Sequence, residues 1–300
     1  MTQLGLALLM ALVQSADSST LSRIESRIAQ EPGAQVGLAY IDLGSHDTLF
    51  LNADTSFHAA STMKVPVMIE LFKQAAVGAF HMDQGLLVVN HFASIVDNSQ
   101  YALDPGSDSD STLYKRIGQR VPVDTLLWHM ITRSSNFATN ILIELVGAPS
   151  VTRTMRSLGA QRIQVLRGVE DGKAFEKGLN NTTSARDLAI ILRAIEEGRA
   201  APPDATRQMR EILLAQEFNE KIPAGLPAGV KVAHKTGEIT AHSHDAAIVY
   251  PPGRSPYVLV VLTRGIQDGA RSSKLIADIS SIIFAHNISR GVGATAGGLQ

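Results

Sequence analysis

Residues 57–74 read FHAASTMKVPVMIELFKQ. From Val65 onward the residues suit a buried helix. Yet the run opens with an alcohol, Ser61, and an amine three positions later, Lys64. In a helix starting near Ser61, positions i and i+3 share a face, with Cβ atoms about 5–6 Å apart. A lysine among apolar residues is costly to keep charged, so burial lowers its pKa and prepares it to accept a proton. A serine at the start of a helix also has backbone N–H groups close to any oxyanion that forms on a bound carbonyl. S-x-x-K alone is also what a capping serine and a snorkelling surface lysine look like, so its meaning depends on the rest of the chain.

Outward from this helix the chain divides by pattern. Before it, 18–33 (SSTLSRIESRIAQEPG) reads as a helix stopped at Pro32-Gly33, and 34–54 as two strands around a Gly-Ser turn. From about 62 to 215 helical periodicity dominates, interrupted by 94–114 (SIVDNSQYALDPGSDSDSTLY), a Ser/Asp/Gly-rich stretch that reads as a long surface loop. From 230 to 265 strands return, with PPGRSP as a hairpin loop, and a last helical pattern follows. The expected fold is a two-lobe α/β plus all-α arrangement. Residues 17–61 and 216–288 form an antiparallel sheet of about five strands flanked by helices, and 62–215 form an inserted helical lobe. The tail 289–300 is expected to be frayed.

The chain has 300 residues, a net charge of −1 and no cysteine, and it carries no long charged run. Nucleic acid and anionic membranes are therefore poor partners, and thiolate chemistry and disulfides are excluded. A small-molecule ligand and a monomer are expected. The first sixteen residues contain the apolar run LGLALLMALV at 4–13, too short to span a bilayer. With small residues at Ser15 and Ala16, they read as a secretory leader, which implies a secreted or periplasmic protein without a stable membrane anchor.

Two further motifs give the first its meaning. Ser134-Ser135-Asn136 lies between two helical patterns, and Lys235-Thr236-Gly237 lies on a strand pattern after the helical lobe. In this order and spacing, S-x-x-K, S-x-N and K-T-G resemble the penicillin-recognising serine hydrolases, and specifically the class A β-lactamase family. The resemblance covers nearly the whole chain after the leader. It implies acyl transfer through Ser61, with Lys64 as base or proton relay and no cofactor. It further implies that Ser134 passes a proton to the leaving nitrogen, Asn136 binds the substrate's amide, and Lys235 and Thr236 meet its carboxylate. It likewise implies an oxyanion hole made by the backbone N–H groups of Ser61 and Glu238, with Gly237 between Thr236 and Glu238. The substrate it implies is a β-lactam, the alternatives being the acyl group of a related peptidase or esterase and a protein that acylates and stalls.

The chain departs from that family in three places. Ser135 stands where Asp is usual, the gap between Lys64 and Ser134 is long, and the deacylating glutamate is ambiguous. In 165–189 (VLRGVEDGKAFEKGLNNTTSARDLA), Glu170 has the expected distance from Ser134, whereas Glu176 has the expected Leu-Asn four positions on. Glu176 lies too close to the helix that follows, so Glu170 is the expected deacylating base. Two other groups compete for a role. His242 and His244, with Asp245 adjacent, have metal-ligand spacing on a strand, although the expected number of metals is none. Arg264 at a strand end could add a cation for a carboxylate.

Overall fold

A computed structural model describes residues 18–295, with side chains to 290. The leader expected at 1–16 and the last five residues lie outside that range. Helix α1 (18–28) leads to the hairpin β1 (Gln35–Asp42) and β2 (Thr48–Leu51). The two-residue strand β3 (Phe57–His58) precedes a 3-10 turn, Ala60–Met63, which runs directly into α2 (Lys64–Ala76). The stretch read as a surface loop is more ordered than its composition suggested. After β4 (Gly85–Leu87) and β5 (Phe92–Ala93), it supplies the hairpin partner β6 (Gln100–Tyr101) and leads into a 3-10 turn at Thr112–Arg116. β7 (Arg120–Pro122) pairs with β4. Helices α3 (Val123–Thr132), α4 (Asn136–Val146) and α5 (Ala148–Ser157) follow. A long loop then carries α6 (Gly172–Glu176) and is closed by β8 (Thr182–Thr183) pairing with β3. α7 (Ala185–Glu196) and α8 (Pro203–Leu214) bring the chain back to the sheet strands β9 (Lys231–Ile239), β10 (His242–Tyr250) and β11 (Tyr257–Arg264). The closing helix α9 spans Gly269–Thr295. It passes the limit expected at 288, and near its end Arg290 pairs with Asp47 at 3.1 Å.

The five-stranded sheet has the order β2-β1-β11-β10-β9, with every neighbour antiparallel. Side chains alternate between two cores with the period of two that a strand dictates. Leu38, Tyr40, Leu259, Val261, Ala247 and Val249 pack with Ile24, Ile276, Ile279 and Ile283 from α1 and α9. Their neighbours Ala39, Ile41, Val258, Val260, Ala246 and Ile248 belong to the larger core with α2, α3, α4 and α7. Burial on both faces explains why these strands read as nearly unbroken apolar runs. Full burial of such a side chain stabilises by about 1.5–3 kcal/mol, so the sheet is a firm base for whatever its edge carries. That edge is β9, which lies against the Ala60–Met63 turn.

Candidate active site

The S-x-x-K segment folds as a tight turn joined to a helix. Ala60 takes φ +44, and Thr62 hydroxyl and N–H both donate to Ala59 carbonyl. Gly237 is what lets β9 approach this turn. A Cβ there would sit 3.0 Å from the backbone nitrogens of both Ser61 and Thr62. Ser61 opens onto two adjoining cavities of about 310 and 420 Å³, and Asn136 and Glu238 also line both. The first is bounded by Ser134, Thr236 and Lys221, the second by Val169, Glu170, Phe175 and Ile239.

Lys64 is fully buried, and its amine donates to Ser134 carbonyl at 2.5 Å, Asn136 Oδ1 at 2.9 Å and Ser134 Oγ at 3.2 Å. Three acceptors match the three N–H bonds of an ammonium. Burial nevertheless pushes its pKa down to about 7, against the attraction of Asp108 and Glu170. Loss of one proton therefore costs little and frees one direction of the nitrogen for a new proton. Lys235, also fully buried, donates to Ser134 Oγ at 3.0 Å and to Thr236 carbonyl at 2.9 Å. Its pKa lies well below the ordinary lysine value, first through burial and then through repulsion by Lys64 and Lys221. A hydroxyl accepts two hydrogen bonds and donates one. With both acceptor positions of Ser134 Oγ taken by amines, its own proton is left to be donated elsewhere.

Ser134 has φ +57 and Glu170 φ +61. Together with Ala60, three non-glycine residues in the left-handed region therefore border one cleft, each at a cost of roughly 1–3 kcal/mol. Asn136 links the two halves of the site: its Oδ1 accepts from Lys64, and its Nδ2 donates to Glu170 Oε1 at 2.7 Å. Glu170 opens onto the cleft, yet enough protein surrounds it to push its carboxyl above the ordinary range. Asp108 and Asp104 add to that shift, while Asn136 and Lys64 oppose it. The loop presenting Glu170 is clamped from behind. Val169 N–H donates to Asn140 Oδ1 at 2.6 Å, and Arg167 Nε donates to Leu179 carbonyl at 2.8 Å. Asp171 accepts from Ser94, Ile95 and Ala174. Glu176 ends α6, is exposed, and lines neither cavity.

The remaining candidates lie elsewhere. Arg264 donates to Gln35 Oε1 and Ser56 carbonyl and stacks over Phe57 at 5.1 Å, so its guanidinium is committed away from Ser61. His244 is buried between His58 carbonyl and Thr263 N–H, its pKa pushed down to about 3 mainly by burial. Strand alternation sends Asp245 to the other face, where it pairs with His234 at 3.0 Å. Among the described residues no group of three potential metal ligands comes together.

Sequence reasoning overlooked three participants. Lys221, nearly buried, pairs with Glu238 Oε1 at 2.6 Å in the first cavity. Asn140 carries the Glu170 loop. Asp108 accepts the N–H groups of Asn136 and Phe137 at 3.0 and 2.9 Å. The SDSDS run at 107–111 was the only available hint of Asp108, since short acids in a loop are potential helix caps.

Comparison with known proteins yields one consistent set. The pattern described as the Beta-lactamase enzyme family matches residues 19–287. Beta-lactamase AST-1 of Nocardia asteroides is 32% identical over 276 residues, covering 89% of this chain and 85% of that protein. The beta-lactamase of Streptomyces albus G is 30% identical over 274 residues, with the same coverage. A solved acyl-enzyme complex of PBP-A, L158E mutant, with penicillin G superposes with a TM-score of 0.74 at 26% identity, covering 91% of this chain and 97% of that one. No helix among the described residues is long and apolar enough to cross a membrane.

Proposed function

The chain belongs to the β-lactamase enzyme family, and from that premise we propose that it is a serine hydrolase that opens the β-lactam amide through an acyl-enzyme on Ser61. The observation that carries the assignment is the buried Lys64 amine, poised near neutrality and held by Ser134 and Asn136 one helical turn from Ser61.

In this reading a neutral Lys64 takes the Ser61 proton as Oγ attacks the lactam carbonyl carbon. The carbonyl π electrons move onto oxygen, where the N–H groups of Ser61 and Glu238 stabilise them. As the C–N bond breaks, Ser134 donates its proton to the departing nitrogen and regains one from the adjacent ammonium of Lys64. Lys235 and Thr236 hold the substrate's carboxylate, and Asn136 its side-chain amide. Glu170 then takes a proton from water as its oxygen attacks the Ser61 ester carbon. The bond from that carbon to Ser61 Oγ breaks, the acid departs, and the proton held by Glu170 returns to Ser61 Oγ. The enzyme works as a monomer, with residues 1–16 as a leader that directs it outside the cytoplasm. An exported product beginning near residue 16 or 17 is the corresponding observation.

Intact mass after exposure to penicillin, together with turnover of a chromogenic cephalosporin, tests the assignment. The parent should turn over substrate, and Ser61→Ala should lose both turnover and adduct. An adduct on another residue, or parent protein inert to both compounds but active on acyl esters or peptides, would overturn it.

A further inference from the structure

We infer that Asp108 is a positioning residue for the Ser134-Ser135-Asn136 turn, supplying from a loop the carboxylate that position 135 lacks. The acid reaches the turn from outside its own segment, and its contacts form one set. Oδ1 accepts Asn136 N–H at 3.0 Å and Oδ2 accepts Phe137 N–H at 2.9 Å. Ser135 Oγ accepts the next donor, Ala138 N–H, at 3.2 Å, and Ser135 carbonyl accepts from Thr139. The first N–H groups of a helix have no partner within it, so α4 is capped jointly by a loop aspartate and a turn serine. Tyr114 fixes the aspartate by donating to Oδ2 at 3.0 Å while its ring stacks on Phe137 with centroids 4.4 Å apart. The next two loop residues hold the end of α3 that leads into the turn. Ser109 Oγ donates to Arg133 carbonyl at 2.8 Å, and Asp110 pairs with His129 at 2.5 Å. The long gap before Ser134 and the absent acid at 135 thus have a single structural answer.

The cap matters for chemistry because of what leaves the capped residues. Asn136 is bound on one side to Lys64 and on the other to Glu170, and Ser134 presents both its carbonyl and its hydroxyl to amines. Small movements of a positioned group are costly in rate. Asp108 also acts through charge. Around the Lys64 amine, Asp108 and Glu170 favour the ammonium while burial opposes it, and Lys235 on β9 is the neighbouring cation. Around Glu170, Asp108 and Asp104 favour the protonated acid, against Lys64. Removing the Asp108 charge therefore lowers the pKa of both groups: the Lys64 shift moves the acid limb of acylation down, and the Glu170 shift moves that of deacylation down.

This inference rests on the acyl-enzyme reading, and its experiment keeps the two separable. Single-turnover acylation by a chromogenic cephalosporin is followed from pH 4.5 to 8 in the parent, Asp108→Asn, Tyr114→Phe and Asp108→Asn/Ser135→Asp. Amide hydrogen exchange at 136–138 is measured alongside. Asp108→Asn is expected to slow acylation about tenfold, to move its acid limb down by about half a pH unit, and to speed exchange at Asn136 and Phe137. Tyr114→Phe should give a smaller change of the same sign, and the double variant should recover much of the rate and the limb. A parent that never acylates would count against the enzyme assignment alone, and exchange would still test the cap. An Asp108→Asn protein with lowered Tm but parental acid limb and exchange would overturn the inference, as would a double variant no better than the single.

Discussion

One wall of the cleft is regular secondary structure, the Ala60–Met63 turn with α2 and the edge strand β9. The facing wall consists of segments 104–112 and 163–181, most of whose residues follow no repeating hydrogen-bond pattern. The first wall holds its groups by backbone geometry: three positions along a turn separate Ser61 from Lys64, and one missing Cβ at Gly237 sets the spacing between strand and turn. The second holds its groups by side-chain hydrogen bonds from distant parts of the chain, such as Asn140 to Val169, Asp171 to Ser94 and Asp108 to Asn136. The nucleophile thus sits on the rigid wall and the proposed water-activating acid on the tied one. Altering the Ser61 wall should therefore weaken acylation and altering the Glu170 loop should weaken deacylation, while Asp108, which the tied wall lends to the Ser134–Asn136 turn, bears on acylation.

The largest expected effect is on the tied wall. Glu170→Gln keeps the volume and removes the base, so deacylation should slow by about 10²–10⁴-fold. The acyl-enzyme should then accumulate in an intact-mass time course. Glu176→Gln, on the exposed end of α6, should turn over as the parent does. The reverse result would assign the base to Glu176 and break the comparison at its most informative point.

On the rigid wall, Gly237→Ala probes spacing alone. The added Cβ meets two backbone nitrogens, which have no rotamer by which to escape, so β9 or the turn must shift. Overpacking of this kind costs typically about 1–3 kcal/mol. Acylation should fall about tenfold or more, with the deacylation rate of any adduct formed less affected. Stopped-flow burst amplitude and steady-state rate separate the two. An equal loss in both would show that the walls are mechanically coupled.

The motifs on the rigid wall could be read from the sequence because their spacing is their geometry. S-x-x-K fixes a face, and K-T-G sits on a strand whose alternation is visible. The five strands and the principal helices were readable for the same reason. On the other wall, spacing from Ser134 favoured Glu170 while the Leu-Asn pattern pointed to Glu176, and the two signals conflicted because a loop's path depends on contacts that no local pattern records. Arg167 and Asn181, fourteen positions apart, set that path here. Asp108 was hidden for a related reason. Three acids lie between 104 and 110, and only the fold selects the one that faces α4. The partnership of Lys221 with Glu238 likewise spans a chain reversal.

A smaller effect follows from the two buried amines. An unfolded lysine titrates near 10.5, whereas folded Lys64 titrates at about 7. Between those values the unfolded chain holds a proton that the folded chain has released, so stability rises with pH across this window. Below about 7 the full penalty of charging a buried amine is present. Lys235 contributes with the same sign. Denaturant midpoints should therefore climb between pH 7 and 9.5, by an amount on the order of 1 kcal/mol per unit. Lys64→Met should flatten the climb, and an unchanged slope in that variant would mean the amine is not held as described.

The smallest effect is expected at Arg264, and it tests whether the cleft draws on residues beyond its two walls. The guanidinium is bound to Gln35 Oε1 at 2.9 Å and Ser56 carbonyl at 3.2 Å, and it lies over the Phe57 ring. Swinging into the cleft would forfeit both hydrogen bonds and a cation–π contact of about 0.5–2 kcal/mol. Lys235 already offers a buried cation there. Arg264→Ala should therefore leave kcat/KM for a carboxylate-bearing β-lactam within about twofold of the parent, while lowering stability by about 1 kcal/mol through the lost hydrogen bonds. The decisive measurement is KM for that substrate against its carboxyl ester. If Arg264→Ala raised KM about tenfold for the acid and not for the ester, the arginine must leave its resting place when substrate binds. Anion recognition would then come from a third region, held by neither of the two walls.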